Sequence, residues 1–199
     1  MEVHENSTGE TIWKPVSVYI YGPMTARYRF NASKALQAIE FMCAKAHDLD
    51  LHTTLKSFYF SDKSHLNAHQ QPIFGATYKA MKYGPVPLEV YEMIKGESLW
   101  LQELGITGTP WRLDGFKIQR VSNSSPTLDL LGESESEHFL TAFDRSRKMT
   151  FTERTAVTHG PDWQAANLGI MRYEDMVDPG PDRDEIIEFM QETARHTRL

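Results

Sequence analysis

Cysteine is nearly missing from this chain. Cys43 stands alone among 199 residues, which excludes an intrachain disulfide and fits a reducing compartment. Long apolar runs are missing too, and none approaches the ~20 residues of a membrane-spanning helix. The opening residues, Met1-Glu2-Val3-His4-Glu5-Asn6, lack the basic start and apolar centre of a secretory signal. Cytoplasmic location without membrane association is the resulting expectation. Positive charge is in deficit, with 21 Lys and Arg against 27 Asp and Glu, a net charge of −6. That balance argues against generic nucleic-acid binding, which needs a basic face, and suits a basic protein partner or plain solubility. Neither Gly-x-Ser-x-Gly nor Gly-Lys-Ser/Thr occurs, so the common nucleophile-elbow and phosphate-loop signatures are absent.

What is present describes an ordinary globular protein, 40% hydrophobic and 24% charged, long enough for one sizeable core. Residues 1–12 are polar. Trp13 to Tyr21 reads as a strand with Val16, Val18 and Ile20 on one face, broken by Gly22-Pro23. Asn31 caps a helix toward His47 with Leu36, Ile39 and Cys43 on one stripe, so Cys43 reads as a small core residue. Thr53 or Thr54 caps a second helix carrying Leu55, Phe58, Tyr59 and Leu66 to a turn at Gln70-Gln71-Pro72. The segment Tyr78-Lys79-Ala80-Met81-Lys82-Tyr83 reads as helix that stops at Gly84-Pro85, with Pro87 opening the next helix and Gly96 closing it.

Leu99 to Gly115 reads as loop with one helical turn at Trp100-Leu101, and Phe116 to Val121 alternates as a strand before the Ser122–Pro126 turn. Ser134 and Glu137 form a capping-box pattern ahead of Phe139, Leu140 and Phe143. Thr152 caps a short helix, Asp162–Ala166 forms another, and Asp182 caps a last one with Ile186, Phe189 and Met190 on its apolar face. The expected fold class is α+β, predominantly helical: a single helical domain with a small antiparallel sheet.

The residues offer few sites for chemistry. His65 and His69 lie four apart on one helical face, but His65-Leu66-Asn67-Ala68-His69 lacks the glutamate of a two-histidine zinc hydrolase motif. No metal, cofactor or catalytic residue is assigned. Asp62, His65 and His159 are the one plausible polar cluster for an enzyme. Glu174 and Asp175, like Asp182, Asp184 and Glu185, read as solvated faces or helix starts. Lys56, Lys63, Lys79 and Lys82 with Tyr59, Tyr78 and Tyr83 form a basic, aromatic region. It could stack on nucleic acid, anchor a protein partner, or be two ordinary amphipathic helices.

Read continuously, Phe58-Tyr59-Phe60-Ser61-Asp62-Lys63-Ser64-His65-Leu66 through Gln70-Gln71-Pro72-Ile73 into Tyr78-Lys79-Ala80-Met81-Lys82-Tyr83-Gly84-Pro85-Val86-Pro87 resembles the Panacea domain, or SocA-like antitoxin, family. Thr158-His159-Gly160-Pro161-Asp162-Trp163 fits the family's later His/Trp motif, whereas His69-Gln70-Gln71 departs from its glycine and basic turn. The resemblance covers roughly residues 31–167, leaving 1–30 as an extension and 168–199 as a helical tail packed on the same domain. It implies a scaffold built on Asp62, His65, Leu66, Tyr78, Ala80, Met81, Gly84, Pro85, Val86, Pro87, His159 and Trp163. Lys63, Lys79, Lys82 and Tyr83 are then candidates for partner contact. The implied function is an antitoxin of a two-gene toxin–antitoxin system, from bacteria or their phages, that neutralises a cognate toxin by direct binding and is not an enzyme. The alternatives are a proteolytic adaptor delivering a toxin to a Clp-type protease, and a nucleic-acid-binding regulator. A homo-oligomer is compatible with this reading.

Overall fold

The computed structural model describes residues 3–5, 11–13, 25–121 and 125–194. The fold is α+β and predominantly helical. Its strands form separate two-stranded antiparallel pairs, where one small sheet was expected. Strands β1 (Val3–Glu5) and β2 (Thr11–Trp13) pair with each other. The expected strand residues Val16, Val18 and Ile20 lie outside the described residues, as do Gly22-Pro23 and Ser122–Ser124.

Helix α1 (Ala32–Lys45) starts at Asn31, whose side chain accepts the Lys34 N–H at 3.0 Å. Its stripe buries Ile39, Met42 and Cys43. Helix α2 (Leu51–His69) begins three or four residues earlier than a Thr53 or Thr54 cap would place it. Asp50 is the cap, accepting the Thr53 N–H at 2.8 Å and the Thr53 hydroxyl at 2.6 Å, so Thr53 serves inside the first turn. The helix ends at Gln70, which adopts the left-handed conformation with φ 61°.

Helix α2 is buried almost all round because it separates two apolar clusters. Leu55 and Phe58 join Ile39, Met42, Phe74, Ile94 and Phe139 in one; Tyr59, Phe60 and Leu66 join Tyr78, Tyr173, Met176 and Met190 in the other. Burial of each large apolar side chain stabilises by roughly 1.5–3 kcal/mol. Such a helix must also satisfy its polar residues internally. Ser57 donates to the Thr53 carbonyl at 2.8 Å and Ser61 to the Phe58 carbonyl at 3.0 Å, while Ser146 of the facing helix donates to Thr53 at 3.0 Å.

The expected helix at Tyr78–Tyr83 is instead a β-hairpin. Strand β3 (Tyr78–Met81) pairs antiparallel with β4 (Gly84–Pro87) through a two-residue connection at Lys82-Tyr83. Gly84, paired with Met81 directly after the two-residue turn, takes φ +94°, a conformation that glycine adopts without steric cost. The prolines are tolerated because of register. Ala80 N–H points away from β4 to the Gly169 carbonyl at 2.9 Å, so Ala80 and its partner Pro85 form a pair without ladder bonds, where an N–H is dispensable. On its other edge β3 also receives the Met171 N–H at the Tyr78 carbonyl, 2.8 Å. Tertiary pairing on both edges overrides the helical propensity of Lys, Ala and Met.

Pro87, expected as the first helical residue, is instead the N-cap of α3 (Leu88–Lys95), which therefore starts one position later, and Gly96 closes it with φ 75°. Helix α4 (Ser98–Leu104) is longer than the single turn expected. It is followed by an unforeseen strand, β5 (Trp111–Asp114), paired with β6 (Lys117–Arg120). Helix α5 (Glu133–Lys148) starts at Gly132, whose N–H is held by Glu135 at 2.8 Å, so the Ser134/Glu137 box is not used. Leu140, expected inward, is exposed, while Phe139 and Phe143 are buried.

Thr150, two residues before the expected Thr152, caps α6 (Phe151–Thr158) in a reciprocal box with Glu153. Helices α7 (Pro161–Ala165) and α8 (Tyr173–Met176) follow. Asp182 precedes α9 (Arg183–Thr193), which buries Met190 but leaves Phe189 exposed. Among the described residues no helix is long and apolar enough to cross a membrane.

Candidate functional site

The motif residues meet where α2, the β3–β4 hairpin and α7 pack together. Asp62 is fully buried and acts as a hub. One of its carboxylate oxygens accepts the Ile73 and Phe74 N–H groups, each at 2.9 Å, and the other accepts the Tyr78 hydroxyl at 3.0 Å. Burial raises its pKa to about 6 against the pull of these bonds. Leu66, Tyr78 and Ala80 are buried beside it. His159 stacks on Trp163 at 3.9 Å, and the Trp163 indole N–H donates to the Met81 carbonyl at 2.9 Å, tying α7 to the hairpin. Asp162 accepts from the Tyr59 hydroxyl and pairs with Lys63 at 3.1 Å.

Asp62, His65 and His159 therefore have separate partners. His65 hydrogen-bonds the Gln71 carbonyl at 2.7 Å and lies 3.3 Å from the Ser134 hydroxyl. His65 and His69 do share a face, with ring centroids 4.5 Å apart, and His138 of α5 completes a triangle at 5.3 and 5.4 Å. Long sequence separation hides His138 from spacing arguments. Among the described residues no set of three or more His, Cys, Asp or Glu is arranged to hold a metal ion.

The basic, aromatic region does not form one surface. Lys56, Tyr59 and Tyr78 are buried, whereas Lys82 and Tyr83 are exposed at the hairpin tip and Lys79 is half-buried. Glu174, expected on a solvated face or at a helix start, does lie in the first turn of α8 but is buried there and accepts the Ala26 N–H at 2.7 Å.

The open face of the hairpin borders a groove of about 630 Å³. Leu55, Lys56, Gly84 and Val86 line it together with Met81, Tyr83, Tyr91, Phe116 and Phe151. Met81, Tyr83, Phe116 and Phe151 are exposed by 36%, 49%, 78% and 47%. Tyr83 and Phe151 meet edge to face at 5.2 Å. Lys56, only 1% exposed, donates to the Pro85 carbonyl at 2.7 Å, the carbonyl that the hairpin register turns away from β3. Desolvation, then the Arg154 guanidinium, lowers its pKa from 10.5 to about 7.

The remaining polar groups at the groove are tightly held. Arg154 donates to the Ser146 and Met149 carbonyls at 2.8 and 2.6 Å and lies 3.6 Å from the Asp50 carboxylate. Its Nε also donates to His52 Nδ1 at 3.1 Å, which fixes the tautomer so that Nε2–H donates to the Tyr83 carbonyl at 3.2 Å. Burial first, and Lys56 second, push the His52 pKa down to about 4, so the ring is neutral near pH 7. Gly84 is required here twice over. Besides its positive φ, a Cβ would sit 2.8 Å from Lys56 Nζ and collide with the Thr158 hydroxyl. None of this could be read from spacing, because Lys56, Phe116 and Phe151 come from three distant segments.

No curated protein and no solved structure matches the chain. The family model for the antitoxin SocA-like, Panacea domain matches residues 55–164, from the second turn of α2 into α7. That span takes in the Asp62 hub, the Gly84 hairpin and the His159–Trp163 stack. With more than half of its length inside that match, the chain belongs to the SocA-like antitoxin, or Panacea domain, family.

Proposed function

We propose that this protein is the antitoxin of a toxin–antitoxin pair and neutralises its cognate toxin by direct protein–protein binding, without catalysing a reaction. The family match over the α2–α7 segment carries this reading. Its physical support is a rigid hairpin, locked by Asp62 beneath and Trp163 beside it, that presents Lys82 and Tyr83 to solvent. A preorganised surface lowers the ordering cost of association, and tyrosine is a frequent binding anchor. Neutralisation would follow from occluding the toxin's working face or from locking it in an inactive state.

The test is co-expression with the protein encoded by the adjacent gene. Expression of that neighbour alone should arrest growth, and this chain should restore growth while forming an isolable complex with undiminished toxin levels. Rescue accompanied by loss of the toxin would replace masking with delivery to a Clp-type protease. Failure of both rescue and complex formation overturns the antitoxin reading.

A further inference from the structure

We propose that the groove beside the hairpin receives an apolar segment of the partner toxin that carries a carboxylate, and that this carboxylate pairs with Lys56. This inference rests on the antitoxin reading and names the chemistry of its binding surface.

Lys56 gives the first reason. Its amine has three hydrogens when charged, yet among the described residues it has one hydrogen-bond acceptor, the Pro85 carbonyl, and no carboxylate partner. A buried ammonium left this way is unfavourable, and an incoming anion would complete its shell. The second reason is charge. The groove is lined by Lys56, Lys117 and Arg154 against Asp50 alone, on a chain whose net charge is −6. Asp50 is already engaged by Thr53 and Arg154, so it does not neutralise Lys56. The ionisable side chains lining the groove are therefore mainly basic, against the protein's overall sign, and suit an anionic group.

The rim supplies the third reason and selects a polypeptide as the occupant. A small carboxylate lodged in the groove would leave Phe116 and Phe151 exposed, at 78% and 47% in the free protein. A protein segment laid across Met81, Tyr83, Phe116 and Phe151 would cover them together, giving the apolar centre and polar edge of a specific interface. The expected ligand is one aromatic or aliphatic anchor next to an Asp, Glu or C-terminal carboxylate.

Binding would then convert Lys56 from mostly neutral to charged above pH 7, because the new anion favours its protonated form. The groups facing it are Arg154 on α6, His52 and Asp50 at the start of α2, Lys117 on β6, and the phenols of Tyr83 and Tyr91. Among these, His52 is already neutral at that pH.

The experiment uses the purified full chain and the adjacent gene's product, with calorimetry at pH 8 in phosphate and in Tris. Uptake of about one proton per complex is expected from the Lys56 pKa, and Lys56→Met should abolish it. Phe116→Asp and Phe151→Asp alter exposed positions, so they should fold normally while weakening binding at least about tenfold. Leu140→Asp, on the exposed side of α5, should bind within about twofold of wild type. Wild-type complex formation without proton uptake overturns the Lys56 pairing, whether or not Lys56→Met folds. Undiminished binding by both phenylalanine variants overturns the groove as the docking surface. A neighbour that binds no version of the chain overturns instead the antitoxin reading on which the inference stands.

Discussion

Replacing Lys56 with methionine should stabilise this protein near pH 6.5 and lose that advantage as the pH rises. The wild-type amine is fully buried, with its pKa lowered from 10.5 to about 7 by desolvation and by Arg154. Between those two values the unfolded chain binds a proton that the folded chain does not, so wild-type stability rises with pH across that interval. Below pH 7 the folded protein carries the full penalty of a buried charge, roughly 5 kcal/mol at about 1.4 kcal/mol per pKa unit. Methionine has no such proton, and its profile lacks this slope. Against that gain, the Pro85 carbonyl loses its donor, which costs about 1–3 kcal/mol at any pH.

The variant should therefore be more stable by about 2 kcal/mol at pH 6.5 and close to wild type at pH 9. The relative change across that window is about 2–3 kcal/mol. Working no lower than pH 6.5 keeps His52 neutral, since its pKa lies at about 4. Urea unfolding of both proteins, followed by tryptophan fluorescence, measures it directly. A stability difference that is the same at both pH values would refute the claim that Lys56 is buried as a strained cation.

Other substitutions test the scaffold. Gly84→Ala should destabilise by about 3 kcal/mol, combining positive φ with overpacking against Lys56 and Thr158, and should lower the Tm by roughly 6–12 °C. A Tm shift under ~2 °C would contradict the hairpin geometry. Asp62→Ala strands the buried Ile73 and Phe74 N–H groups and should cost about 3–5 kcal/mol, of which Asp62→Asn should recover most by keeping an acceptor oxygen. Equal losses in denaturant titrations of the two variants would count against the hub. The Cys43 thiol, pushed up to about 12 by burial, should resist thiol reagents at pH 8 until the protein unfolds. Prompt labelling of the native state would place that side chain elsewhere.

Local signals carried much of the fold. Asn31 and the left-handed Gln70 and Gly96 stops act over a few residues and were legible as caps and turns. The β6 strand at Lys117–Arg120 was legible from its alternation. Caps slipped where several candidates stood close together. Asp50 displaced Thr53 because its carboxylate takes both the backbone and hydroxyl donors of that residue. Thr150 displaced Thr152 because Glu153 lies at the right distance for reciprocity.

The hairpin departs from the sequence expectation for a different reason. Tyr78–Tyr83 has helical composition, and only the distant 169–171 segment together with β4 makes it a strand. The same long-range dependence hid the groove. The family resemblance marks the motif residues that form the hairpin, whereas Lys56 reads from sequence only as part of a basic, aromatic region, and its bond to the Pro85 carbonyl depends on packing.

Growth rescue by paired versions of this chain tests the account at its centre. The neighbouring gene would be induced together with either wild type or the Phe116→Asp/Phe151→Asp double variant, both verified as folded and equally abundant. The account predicts that wild type restores growth and the double variant does not. Equal rescue by both would contradict the groove as the neutralising surface, and rescue by neither would contradict neutralisation itself.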